Sequence, residues 1–209
     1  MKKLLTAAAF AALMTAPAFA ADLSTKDAAS SPSVAGVSLS GVVVELGLGA
    51  GVANASVSQG SAGADASFAG FLGDIRVRVE RVVTPGWNAS VYAGLSIEDV
   101  KGNTSGFTAG NQTFGYSAGV QIGRTFNSGT SEIYGLAGYQ GQHLGLNGTG
   151  YSTDLQGIAL GGGIRTALSA HLVAGVEIQE VIYGAYKPVT GVNIDNTEMR
   201  TTARIGYKF

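Results

Sequence analysis

Asp74, Arg76, Arg78 and Glu80 occupy every second position, with Ile75, Val77 and Val79 between them. Side chains alternate faces along an extended chain, so four charges of both signs share one side and branched apolar residues the other. The end of the chain repeats the device: Arg200, Arg204 and Lys208 oppose Met199, Thr201, Ala203, Ile205, Tyr207 and Phe209. Glu45, Glu98, Glu132, Arg165 and Glu177 sit at the polar phase of alternating segments of their own. The signs are roughly balanced. What such a set does chemically is neutralise itself, because a charge removed from water without a partner is strongly destabilising. A structural ion-pair network is therefore the expected reading, and a gate in a narrow ion path is its functional alternative.

Other reactive groups are sparse. The only histidines are His143 and His171. A serine nucleophile needs a histidine within hydrogen-bond reach and a third group to orient that histidine. Ser152 and Asp154 lie near His143 in sequence, but ordinary loop polarity explains both equally well, so catalysis is not expected. There is no cysteine, which removes disulfide frameworks, thiolate metal sites and thiol nucleophiles. The strings Gly47-x-Gly49-x-Gly51 and Gly161-Gly162-Gly163 lack the spacing and following helix of a phosphate loop. No cofactor or metal is expected, and a net charge of −1 gives no footprint for nucleic acid.

The elements that must position the charges are short and alternating. Eight segments stand out, near residues 41–52, 67–80, 88–98, 113–124, 131–142, 155–165, 171–183 and 199–209. In 131–142 the phase is ambiguous. Setting Ile133, Gly135, Ala137 and Tyr139 on the apolar face puts Glu132, Gln140 and Gln142 on the polar one, with Leu136 stranded among them. In 171–183 the pattern sends Glu180 to the apolar face, so Glu180 lies at a boundary or a bulge resets the register.

The connections alternate in length. Residues 53–66, 99–112, 144–154 and 184–196 are long and rich in Ser, Thr, Asn and Gly. Residues 81–87, 125–130 and the few around Leu168 to Ala170 are short and carry turn chemistry such as Thr84-Pro85-Gly86 and Asn127-Ser128-Gly129. Trp87, Phe126, Tyr207 and Phe209 gather at the short-turn end, and Phe71, Phe114, Tyr116 and Tyr183 at the other.

Met1-Lys2-Lys3, the apolar run Leu4 to Ala16, and Ala18-Phe19-Ala20 before Ala21 read as a cleaved secretory signal peptide over 1–20. Residues 21–40 are small and polar and read as a flexible periplasmic lead-in. Beyond the leader no apolar run reaches the length of about 20 residues that a membrane helix needs. A chain that crosses a bilayer without helices must close its strands into a barrel. The predicted fold is thus all-β, an eight-stranded antiparallel up-and-down transmembrane β-barrel over 41–209.

Glu45-Leu46-Gly47-Leu48-Gly49-Ala50-Gly51, the terminal Gly206-Tyr207-Lys208-Phe209 and the Ala-Asp start after the leader resemble small Gram-negative outer-membrane β-barrels of the opacity-protein and OmpA/OmpX type. The cysteine-free, glycine-rich character is similar to alphaproteobacterial outer-membrane surface antigens. The resemblance implies residence in the outer membrane, among its lipid and lipopolysaccharide. It implies an assembly signal at Ile205, Tyr207 and Phe209 read by the barrel-assembly machinery. It implies a structural, envelope-stabilising surface-antigen role. No segment resembling the peptidoglycan-binding domain of OmpA follows the barrel, so direct cell-wall tethering is not expected. The alternatives are an adhesin or receptor whose loops take host or phage ligands or haem, and a narrow porin-like channel.

Overall fold

The computed structural model describes residues 39–59, 62–104, 107–146, 151–186 and 192–209. The expected leader 1–20, most of the lead-in 21–40 and the tips of the four long connections lie outside these residues. Eight strands follow one another: β1 (Gly41–Gln59), β2 (Ala62–Thr84), β3 (Trp87–Thr104), β4 (Phe107–Phe126), β5 (Ser131–Leu146), β6 (Tyr151–Ala167), β7 (Leu172–Tyr186) and β8 (Val192–Lys208). Each pairs antiparallel with its sequence neighbours, and β8 pairs with β1 to close the barrel. Closure leaves no strand edge with unpaired backbone groups.

The alternation read from the sequence sets which side chains point in. Leu46, Leu48, Phe71, Ile75, Val91, Leu95, Ile97, Val120, Ile122, Ile158, Ile164 and Ile205 are exposed on the outer wall, Leu48 by 75 % and Phe71 by 78 %. The charged partners of these positions are buried inside. In a molecule surrounded by water this order would be inverted. In β5, Tyr139 faces out, while Glu132, Gln140 and Gln142 are buried and Leu136 is buried with them.

Short turns close one end. Pro85-Gly86 joins β2 to β3 with Gly86 at φ +79°, and Asn127, Ser128 and Gly129 all take positive φ between β4 and β5. Between β6 and β7 the Ser169 hydroxyl accepts hydrogen bonds from the backbone N–H groups of His171 and Leu172. At the same end Gly41, at φ +137°, turns the chain into β1, and Leu39 just before it is buried.

Two sequence expectations are corrected, and an open one is resolved. The strands run well past their predicted outer ends: β1–β2 pairing continues to Gln59 opposite Ala62, and β3–β4 pairing to Thr104 opposite Phe107. Polar hairpin residues carry no apolar alternation, so sequence read these arms as loops. Tyr183 is not part of an outer aromatic belt; it is buried inside the barrel. Glu180 is opposite Leu160 and Met199 with no register shift there; the irregularity falls between Tyr183 and Tyr186. Glu180 therefore does face outward, eight residues above Leu172. At ~3.4 Å per residue and a tilt of about 40°, that puts it roughly 20 Å up the wall, near the top of an apolar band about 25 Å tall.

Candidate functional site

Long inward side chains fit because their neighbours across the ladder are glycines. Arg76 is opposite Gly94, Arg204 is flanked by Gly47 and Gly175, and Tyr134 by Gly123 and Gly163. A Cβ at Gly123 would overlap the Glu132 carboxylate, and one at Gly163 would come within 2.6 Å of the Tyr134 hydroxyl. Alternating large and small residues in this way lets a barrel of this size fill its own interior.

The charges gather in three tiers. Nearest the short turns, Arg78 bonds Glu80 and, at 2.9 Å, Glu45. Arg165 bonds Glu80 and Glu132, both at 2.5 Å, and Asn88 donates to the second Glu80 oxygen at 2.7 Å. The middle tier centres on Glu177. Its carboxylate accepts two bonds from Arg76 (2.8 and 3.0 Å), bonds from Arg204 (2.9 and 3.2 Å), one from the Tyr134 hydroxyl (2.9 Å) and one from Gln179 (2.8 Å). Arg204 also clamps Asp74 with both terminal nitrogens, at 2.5 and 3.0 Å. In the outer tier Arg200 joins Glu198 at 2.7 Å and Glu98 at 2.6 Å, and the Tyr183 hydroxyl accepts from Arg200 and has its one proton within reach of Gln142 at 2.7 Å and Glu198 at 3.1 Å. Gln121 links the lower tiers: its oxygen accepts from Arg165 at 3.0 Å, and its amide nitrogen lies 3.5 Å from Glu177.

Rings cover two of the guanidinium faces. Arg76 lies 4.2 Å from the centre of Tyr92, and Arg165 lies 4.8 Å from that of Tyr134. The tiers are wedged against an apolar cluster of Leu155, Ala159, Val181 and Tyr183 on the β6–β7 side.

Glu45, Arg76, Arg78, Glu80, Glu98, Glu132, Arg165, Glu177, Arg200, Arg204 and Lys208 are all buried inside the barrel, and Asp74 nearly so, its side chain 12 % exposed. Sequence reading missed Glu198, because the terminal segment was started one residue later, at Met199. The signal was there: Glu198 continues the inward phase of Arg200 and Thr202. It also missed the roles of Tyr134 and Tyr183, whose hydroxyls satisfy buried carboxylates.

Neither histidine joins the network. His143 contacts Asp154 at 2.7 Å with both side chains exposed. The Ser152 side chain, like those of Phe107 and Tyr151, lies outside the described residues. His171 stacks on Tyr207, 5.5 Å between ring centres, and its Nδ1 lies 3.0 Å from the Lys208 carbonyl. Tyr207 meets Phe209 edge-on at 5.0 Å, and the Phe209 N–H donates to the Val42 carbonyl at 2.9 Å, so the terminal aromatics sit on the closing seam. Among the described residues no three His, Cys, Asp or Glu side chains are grouped to hold a metal ion.

Comparison with solved structures bears on the architecture. The outer membrane protein OprG of Pseudomonas aeruginosa matches at a TM-score of 0.50 with 13 % identity, over 83 % of this chain and 98 % of that one. The fold is that of a small outer-membrane β-barrel. Neisserial surface protein A resembles this barrel at 18 % identity over 78 % of this chain and 97 % of its own, with a TM-score of 0.44. Ail of Yersinia pestis does so at 17 % identity over 79 % and 99 %, with a TM-score of 0.36. No family model and no curated protein sequence matches the chain. The outer-membrane barrel fold accounts for the inversion described above: an apolar outside suits lipid, and a charged inside suits a sealed polar core.

Proposed function

We propose that this chain is a structural protein of a Gram-negative outer membrane, a closed barrel that stiffens the envelope and displays rigid hairpins at the cell surface. The observation that carries the reading is the filled lumen. Internal voids at the middle and lower tiers amount to about 20 and 10 Å³. A single water needs roughly 10–15 Å³, so each of these voids has room for about one water among the paired charges.

The long arms support display. A strand needs about 9–11 residues to cross a bilayer, whereas these run from 15 to 23, with the surplus beyond the apolar band at the end opposite the short turns. Long connections outside and short turns in the periplasm are the rule for such barrels. Export through the 1–20 leader, and recognition of Ile205, Tyr207 and Phe209 during assembly, belong to the same reading.

The test is complementation. Cells lacking the protein should gain sensitivity to detergent, and a barrel whose four outer arms are cut back to the apolar band should restore resistance. Restoration only by the full-length arms would overturn the structural role in favour of an adhesin or receptor acting through its loops.

A further inference from the structure

Two arginines stand apart from the lumen network. Arg81 in β2 and Arg124 in β4 face outward and are exposed, and neither has an ion pair or hydrogen bond among the described residues. Every other described Lys or Arg with a placed side chain points into the barrel. Both arginines lie at the short-turn end, whereas the exposed carboxylates Asp65, Asp154 and Asp195 lie on the outer arms at the opposite end.

The register brings the two arginines together around one strand. Arg81 is opposite Ala89 of β3, and Arg124 is opposite Trp87, two residues along the same strand. Two strand spacings and the two-residue offset put the backbones at Arg81 and Arg124 about 12 Å apart, a gap that two extended guanidinium side chains close around one phosphate. Ala89 leaves a notch between them. Trp87 is 43 % exposed beside it, an amphipathic ring of the kind that settles at headgroup depth. Deeper into the band, Val79, Val91 and Ile122 form an apolar wall on the same three strands.

We propose that Arg81, Trp87 and Arg124 bind the phosphate of an anionic diacyl phospholipid in the periplasmic leaflet, its acyl chains lying on Val79, Val91 and Ile122. The proposal rests on the membrane-spanning reading above. Guanidinium groups suit the task because their planar donors grip a phosphate bidentately. Ordinary snorkelling would send each arginine to water separately; the site differs in requiring both arginines and in preferring an anionic lipid to a zwitterionic one.

Trp87 is the only tryptophan of the chain, so its fluorescence reports on the site alone. The refolded protein is placed in phosphatidylcholine vesicles containing a small fraction of brominated phosphatidylglycerol or, separately, the same fraction of brominated phosphatidylcholine. The expected result is a roughly thirty-fold preference for the anionic quencher, about five-fold from each basic residue at the surface, falling to near unity in R81Q/R124Q. Equal quenching of the wild type by both lipids would overturn the site while leaving the barrel in the membrane. Preferential quenching that survives in R81Q/R124Q would overturn the role of the arginines. No quenching by either lipid would overturn the membrane reading and this proposal with it.

Discussion

Replacing Glu177 by leucine tests whether the lumen is dry. Among the described residues Glu177 is the only carboxylate within ion-pair distance of Arg76, whereas Arg204 keeps its two-pronged contact with Asp74. The substitution therefore strands one buried guanidinium, with the Tyr92 ring 4.2 Å from it. Breaking a buried pair in this way costs about 3–5 kcal/mol. Had water access, solvation would replace the carboxylate and the cost would fall below about 1 kcal/mol, as for surface pairs. The double variant Arg76→Leu/Glu177→Leu removes the stranded charge. It should recover most of the loss, leaving roughly 1–2 kcal/mol for the bonds that Tyr134 and Gln179 give up. The assay is urea unfolding of the refolded barrel in lipid, followed by Trp87 emission and by the heat-dependent gel shift of the folded form. A single variant within about 1 kcal/mol of wild type, or a double variant less stable than Glu177→Leu, would refute a sealed, ion-paired core.

Other substitutions probe separate parts of the account. Gly119→Ala should cost about 1–3 kcal/mol in the same unfolding assay, because its Cβ would sit 2.5 Å from the Ala137 carbonyl and 2.7 Å from the Tyr92 hydroxyl. Val176→Arg, exposed on the outer wall four residues above Leu172 and so nearer mid-band than Glu180, should lose up to about 2–4 kcal/mol in lipid, while Glu180→Leu should change stability by less than about 1 kcal/mol. The reverse ranking would mean that the band is misplaced. Tyr183→Phe should cost about 1–3 kcal/mol, because it removes the hydroxyl that Arg200 donates to and that lies within donor reach of the buried Gln142 and Glu198 oxygens, and near-neutrality would count against its lumen role. Deleting Phe209 should lower the yield of heat-shifted barrel in cell envelopes while leaving in vitro refolding within about two-fold of wild type, given that surface changes move stability little.

The wall of the barrel was legible because a two-residue period forces side chains to alternate faces. Asp74 to Glu80 and Arg200 to Lys208 declare their phase on their own, whereas Leu136 leaves that of β5 ambiguous until the structure places Glu132, Gln140 and Gln142 inside. The pairing inside was not legible. Register gives neighbours in the wall, but Arg76 and Glu177 lie 101 residues apart and meet across the lumen through side-chain length alone. Tyr183 misled because an aromatic near a strand end fits an interface belt as readily as a buried hydroxyl. Glu198 was lost at a boundary, since the polar arms above the band give no apolar signal to mark where a strand continues.

Planar-bilayer conductance of the refolded protein bears most directly on the claim of a closed barrel. Wild type should be electrically silent. Arg200→Ala/Arg204→Ala, which opens the outer tier and halves the cations around Glu177, should leak. Steady, ion-selective current through the wild type would contradict the account and make this protein a small channel.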